Sequence, residues 1–437
     1  MSSNISSSNI SRSNISSNIC SNINTRPELP SGFAEQELSR SIGRSRINSI
    51  DMMRGLVMLI MLLDHVRERF FLHMQVSDPM DLSSTSWGLF LSRFAAHFCA
   101  PVFVFLTGVS AWLYANRSHG LPRSARAFLI KRGLFLIALE IVVINISWMG
   151  NYHTLWLQVI WVIGLSMLTL AALINLPRPW MAFLGLAIVF GHNLLTPIGF
   201  QPSEWAYGLW NILHDRGYLI SEGALKIKVS YPALPWMGVI LLGYVAGPIF
   251  SQKPNANPLE ASQRQQTLLK LGISCWVLFA LLRGFNIYGE TLPWQAGAHL
   301  GETLMSVLNL TKYPPSLSFL LVTLGGMFFC LVVFERHFSS AGKAGESGSE
   351  RLARVGHGLS VFGSVPMFFY ILHLYVLLLL YTLAKFIFGA NHGEYFGVSN
   401  MGWVWFIAGV LVIALYYPVK RFSEYKKHST QAWIKYL

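Results

Sequence analysis

The run S-I-D-M-M-R-G-L-V-M-L-I-M-L-L-D-H, residues 49–65, decides the fold. It is long and apolar enough to belong in a bilayer, yet it carries Asp51, Arg54, Asp64 and His65. An ionisable side chain at membrane depth costs about 2.5–3.5 kcal/mol on insertion scales, so each needs a partner, a wet cavity or a task. Helical geometry orders them. The eleven residues from Arg54 to His65 turn through about 1100°, so both fall within roughly 20° of one face, about 16 Å apart along the axis. Asp51 lies about 40° to the other side of His65. One stripe therefore carries Asp51, Arg54 and His65, with Met58 and Met61 between them. Such a stripe suits a pathway or a site, although Asp51 could simply pair with Arg54 and Asp64 cap a neighbouring helix.

The rest of the chain agrees with a membrane assignment. Of its 437 residues, 53% are hydrophobic and only 12% charged, against roughly 25% charged in soluble domains. The net charge of +13 would suggest nucleic acid in a soluble protein; here it marks the cytoplasmic face, and no nucleic-acid partner is expected. Apolar stretches near 50–73, 92–114, 127–148, 154–175, 179–198, 232–251, 266–284, 316–335, 360–384 and 402–419 are each long enough to cross roughly 30 Å of hydrocarbon. Most Lys and Arg residues fall in alternate connections. The expected fold is thus an all-α, polytopic membrane helix bundle of about ten spans, with both termini cytoplasmic. Residues 1–46, rich in Ser and Asn, read as a disordered cytoplasmic tail. Residues 47–437 form the membrane domain.

Other polar residues sit inside these stretches. His97 lies four residues before Pro101, which frees its carbonyl, so the ring serves either a local bond or a site. Glu140 is mid-span, either a structural hydrogen-bonding group or a substrate contact, and His373 is either a satisfied core histidine or a site residue. Cys20, Cys99, Cys275 and Cys330 form no C-x-x-C pair, and His65, His97 and His373 have no H-x-x-x-H spacing, so no metal is expected. The loop R-S-H-G-L-P-R-S-A-R-A-F-L-I-K-R (117–132) holds Arg123, Arg126, Lys131 and Arg132. Its charge either keeps the loop inside or gathers the phosphates of a nucleotide-bearing donor.

Five ordered blocks carry a family likeness. They are the run 49–65, R-F-A-A-H-F-C-A-P-V-F-V-F-L-T-G (93–108), Y-P-A-L-P-W-M-G-V-I-L-L-G-Y-V-A-G (231–247), K-Y-P-P-S-L-S-F-L-L-V-T-L-G (312–325) and V-P-M-F-F-Y-I-L-H-L-Y (365–375). They resemble a family of bacterial multi-span membrane proteins of unknown function, related to the catalytic domain of heparan-α-glucosaminide N-acetyltransferase. The wider transmembrane acyltransferase group has a similar opening block, matched here by Arg54, Gly55 and His65. The resemblance implies transfer of an acyl group, acetyl first of all, from cytoplasmic acyl-coenzyme A to a hydroxyl or amine outside, on a glycan or similar acceptor. It implies a bacterial inner membrane. Arg54, with Arg123, Arg126, Lys131 and Arg132, would hold the acetyl-coenzyme A phosphates. His65 would act as base or acyl carrier with Asp64 tuning it, His97 would be a further catalytic candidate, and His373 and Glu140 would meet the acceptor. In the glucosaminide enzyme a histidine stands three residues before a Trp-Asn-Gly; here Ser84 precedes Trp87-Gly88, and His73 is the nearest alternative. The rival expectation is a proton-coupled transporter of a small solute, relaying protons through Asp64, His65, Glu140 and His373.

Overall fold

The structure, a computed structural model, describes residues 48–116, 124–251, 258–338, 347–431 and 433–436. The tail 1–46 and Arg123 lie outside the described residues. The chain is mostly helical. It opens with α1 (Asn48–Phe70), α2 (Trp87–Ala96), α3 (Cys99–Ala115) and α4 (Ala125–Leu139). A π-helical turn (Glu140–Ile144) leads into α5 (Asn145–Met149), followed by β1 (Thr154–Leu157), α6 (Val159–Leu173) and α7 (Arg178–Gly191). Then come α8 (Tyr207–Leu213), β2 (Gly217–Ile220), β3 (Lys226–Val229), α9 (Leu234–Ala246) and α10 (Pro258–Gly284). The chain closes with α11 (Leu300–Leu308), α12 (Leu317–His337), α13 (Ser347–Ser364), α14 (Pro366–Phe388) and α15 (Met401–His428).

Five helical stretches among the described residues are long and apolar enough to cross a membrane: Trp87–Ala115, Glu260–Gly284, Leu317–His337, Pro366–Phe388 and Met401–His428. Helices α6 and α9 are apolar but shorter. The molecule is a multi-pass membrane protein. Two local departures from the sequence reading have plain causes. The stretch expected to be one span over 360–384 divides at Pro366, which cannot continue α13 but suits the first turn of α14. The stretch 154–175 begins as a strand: β1 pairs parallel with β3, and β3 pairs antiparallel with β2. T-L-W-L carries strand-forming side chains that the membrane reading absorbs into a span, and K-I-K-V carries them in the connection before the stretch 232–251.

At the middle lies α1, which packs against α2, α3, α12, α13, α14 and α15. Its tightest neighbour is α13. A Cβ on Gly55 would collide with the carbonyl of Leu359, and one on Gly363 with the carbonyl of Asp51. Backbones this close gain dispersion contacts, the main source of helix association in lipid, and small residues permit it. Gly363→Ala should therefore destabilise the bundle by about 1–3 kcal/mol. Thermal unfolding in detergent would register this as a lowered midpoint; an unchanged midpoint would mean that the two helices can separate freely.

Candidate active site

The side chains that matter most sit where α1 meets α14. His373 is fully buried, and its Nδ1 lies 2.7 Å from the carbonyl oxygen of Phe369, one turn back on α14. A carbonyl only accepts, so Nδ1 of His373 carries a proton and donates it. In the neutral ring Nε2 then holds the lone pair. That nitrogen lies 2.7 Å from Nδ1 of His65. His65 must therefore donate from Nδ1, which leaves its own Nε2 as the lone-pair nitrogen. Nε2 of His65 has no hydrogen-bond partner among the described residues. The rings of Trp148 and Tyr370 stand edge-on to His65, with centroids 5.0 and 5.8 Å away. Through its neighbour, one imidazole is oriented and set in one tautomer, with its basic nitrogen unengaged.

Asp64 follows a different course. Successive helical residues diverge by about 100°, and its carboxylate turns to Arg67, whose Nε and Nη2 lie 2.9 and 2.8 Å from Oδ1. Its Oδ2 lies 3.8 Å from Nη1 of Arg93 on α2. His65 thus takes its orienting bond from His373, and Asp64 anchors a group of charges beside it. Glu140 serves a helix end: its Oε2 accepts from the backbone nitrogens of Ile160 and Trp161 at 3.1 and 3.3 Å, capping α6. Its other carboxylate oxygen is buried without a hydrogen-bond partner among the described residues. His97, in the break between α2 and α3, is buried against the rings of Phe94 and Phe319, and its Nδ1 also lacks a partner among the described residues.

The other end of α1 is cationic. Nη1 of Arg54 pairs with Asp51 at 3.1 Å, and Nη2 donates to Ser110 of α3. Arg54 is half-buried, as is Arg132 on α4, and the two lie close enough for their like charges to act on each other. Arg126 and Lys131 are exposed on the same helix. Between this end and His65, Met58 and Met61 are buried on the stripe.

Two arrangements escaped the sequence reading. Lys312, Tyr313 and Tyr231 gather near Arg93, although each belongs to a block singled out only for likeness. His73 stacks on His392, centroids 3.7 Å apart and rings 4° from parallel, fastening the turn after α14 to the end of α1. Burial and His392 together pull the affinity of His73 for a proton below that of an ordinary histidine.

The sequence model of the family described as heparan-alpha-glucosaminide N-acetyltransferase, catalytic, matches residues 46–274. That region includes α1 to α9 and most of α10, hence Arg54, Asp64, His65, His97, Arg132 and Glu140; Lys312 and His373 lie beyond it. No curated protein matches the chain.

Proposed function

Because this chain belongs to the heparan-alpha-glucosaminide N-acetyltransferase catalytic family, we propose that it is a membrane-embedded acyltransferase that uses acetyl-coenzyme A. In this reading about ten spans place both termini in the cytoplasm of a bacterium, and the donor binds from that side of the inner membrane. The acceptor, a hydroxyl or amine on a glycan-like molecule, arrives at the opposite face. The observation that carries the reading is the 2.7 Å bond between Nδ1 of His65 and Nε2 of His373, which leaves Nε2 of His65 as a base.

The chemistry follows from that tautomer. Nε2 of His65 removes the proton from the acceptor's O–H or N–H as its heteroatom attacks the thioester carbonyl. A new ester or amide bond forms, the carbon–sulfur bond breaks, and the departing thiolate takes the proton back from Nε2 as coenzyme A. While His65 is cationic, its Nδ1–H bond to His373 becomes charge-assisted and shortens. Arg54 and Arg132 meet the donor's pyrophosphate, aided by Arg126, Lys131 and Arg123. About 16 Å of helix separates that grip from His65, within reach of an extended pantetheine arm. Met58 and Met61 stand along the way, and unbranched thioether side chains shift at low cost.

The donor half is tested by calorimetry with acetyl-coenzyme A on the purified chain in nanodiscs. Arg54→Ala should weaken binding about ten- to a hundredfold through the lost charge-assisted bonds, with Arg54→Lys intermediate. Absence of saturable binding to the unaltered protein would overturn the acyltransferase reading. A solute flux in proteoliposomes that needs no coenzyme A would replace it with transport.

A further inference from the structure

Beside Asp64 lies a second polar assembly, apart from the histidine pair, in which Arg67, Arg93 and Lys312 gather with Asp64, Glu68 and Asp78. Lys312 is 4% exposed and Arg93 is 6% exposed; Arg93 shares Asp64 with Arg67, its Nη1 3.8 Å from the second carboxylate oxygen. Asp64 is taken by Arg67, and so is Glu68, at 3.2 Å. Asp78 accepts from the backbone nitrogens of Lys312 and Tyr313 at 2.9–3.2 Å. No carboxylate lies within ion-pair distance of the Lys312 ammonium among the described residues. Lys312 is near enough to act electrostatically on Asp64, His65, Glu68 and His97. Arg216 adds a further cation, 4.5 Å over the ring of Tyr313. A buried charge without a counter-charge is expensive, and an incoming anion relieves that cost.

The surroundings suit a ring bearing hydroxyls. Tyr313 donates its hydroxyl to that of Tyr231 at 3.0 Å, and the two rings meet edge to face. From Tyr231 the aromatic contacts run through Trp236 and Phe319 to His97. On this path and beside it, Nε of Arg93, Nδ1 of His97 and Nε1 of Trp236 are buried without hydrogen-bond partners among the described residues. Buried polar atoms are nearly always satisfied, so unsatisfied ones near the Lys312 ammonium mark a place where a polar ligand supplies the missing bonds.

The geometry points to an acceptor site bounded by Arg93, His97, Tyr231, Trp236, Lys312 and Tyr313 that takes a hydroxylated ring carrying an anionic group, an acidic sugar residue. The inference rests on the acyltransferase reading for the word acceptor, and narrows it. The Lys312 ammonium repels a second ammonium and favours an uncharged hydroxyl as the acylated group, with the anion held by Lys312 and Arg93.

Three probes test it on the full chain in nanodiscs at neutral pH: sodium glucuronate, glucose and glucosamine, each titrated by calorimetry. Glucuronate should bind at least about tenfold more tightly than glucose, and glucosamine more weakly than either. Lys312→Met should abolish the preference for glucuronate and Lys312→Arg should retain it. Equal binding of glucuronate and glucose, tighter binding of glucosamine, no saturable binding of any probe, or a preference that survives in Lys312→Met would each overturn the proposal. Acetyl-coenzyme A binding, measured on the same preparations, separates the two readings. Its absence removes the donor and leaves the sugar preference standing, whereas its presence without that preference removes only the acidic acceptor.

Discussion

Replacing His65 with alanine is expected to lower acyl transfer about a thousandfold while leaving acetyl-coenzyme A affinity unchanged. Proton removal by a positioned side chain contributes about 10²–10⁴ in rate. On α1 His65 has Nδ1 spent on His373 and Nε2 without a partner among the described residues. Alanine removes the base and the bond to His373 together. The donor grip stands some eleven residues away at Arg54, so the loss belongs in kcat rather than in donor binding. Because His65 packs against Trp148, Tyr370 and His373, a fold control is needed. His65→Gln keeps much of the volume and a polar end but no titratable nitrogen, and should be equally inactive. Transfer would be followed in proteoliposomes with labelled acetyl-coenzyme A on the cytoplasmic side. Activity within about tenfold of the unaltered protein in both variants would remove His65 from the chemistry.

How much of this was legible before the structure differs from residue to residue. The stripe of Asp51, Arg54 and His65 follows from 3.6 residues per turn, and Asp51 and Arg54 do pair. Asp64 was expected to tune His65, but adjacent helical residues point in different directions, and the carboxylate goes to Arg67 and Arg93. The bond from His65 to His373 joins residues 308 apart in sequence. No periodicity within one helix encodes that meeting; it depends on how α1 and α14 cross. The run S-G-S-E-R-L-A-R-V-G-H-G (347–358) lies outside the stretches expected to span, yet it forms most of α13. In lipid those small residues allow close approach, and Gly363 lets α13 press against the backbone of α1 at Asp51. Arg93 comes from one block and Lys312 and Tyr313 from another, and their convergence is likewise tertiary. Glu140 was visible as a costly buried acid, but its use as a cap required knowing that β1 turns the start of α6 back toward it.

Replacing His373 with phenylalanine should cost about a hundredfold in kcat with little change in either substrate's affinity, and glutamine at that position should recover much of the loss. Phenylalanine fills the space between Phe369 and His65 but offers no acceptor to Nδ1–H of His65. Two penalties follow. The ring of His65 is free to carry its proton on Nε2, the nitrogen that must be basic, and the cation formed during transfer loses its charge-assisted bond. Glutamine places an amide oxygen near the former Nε2, and an oxygen there accepts from Nδ1–H. A merely structural role for His373 predicts the opposite ranking, because a buried, fully apolar environment tolerates phenylalanine better than an amide. Nitrogen-15 shifts of labelled histidine give a readout independent of rate. Unaltered protein and His373→Gln should show an unprotonated Nε2 on His65, and His373→Phe a mixture of tautomers. Equal activity of the phenylalanine and glutamine variants, with one tautomer in both, would mean that His373 does not orient the base. The 2.7 Å bond would then be packing, and the basic nitrogen of His65 would need another explanation.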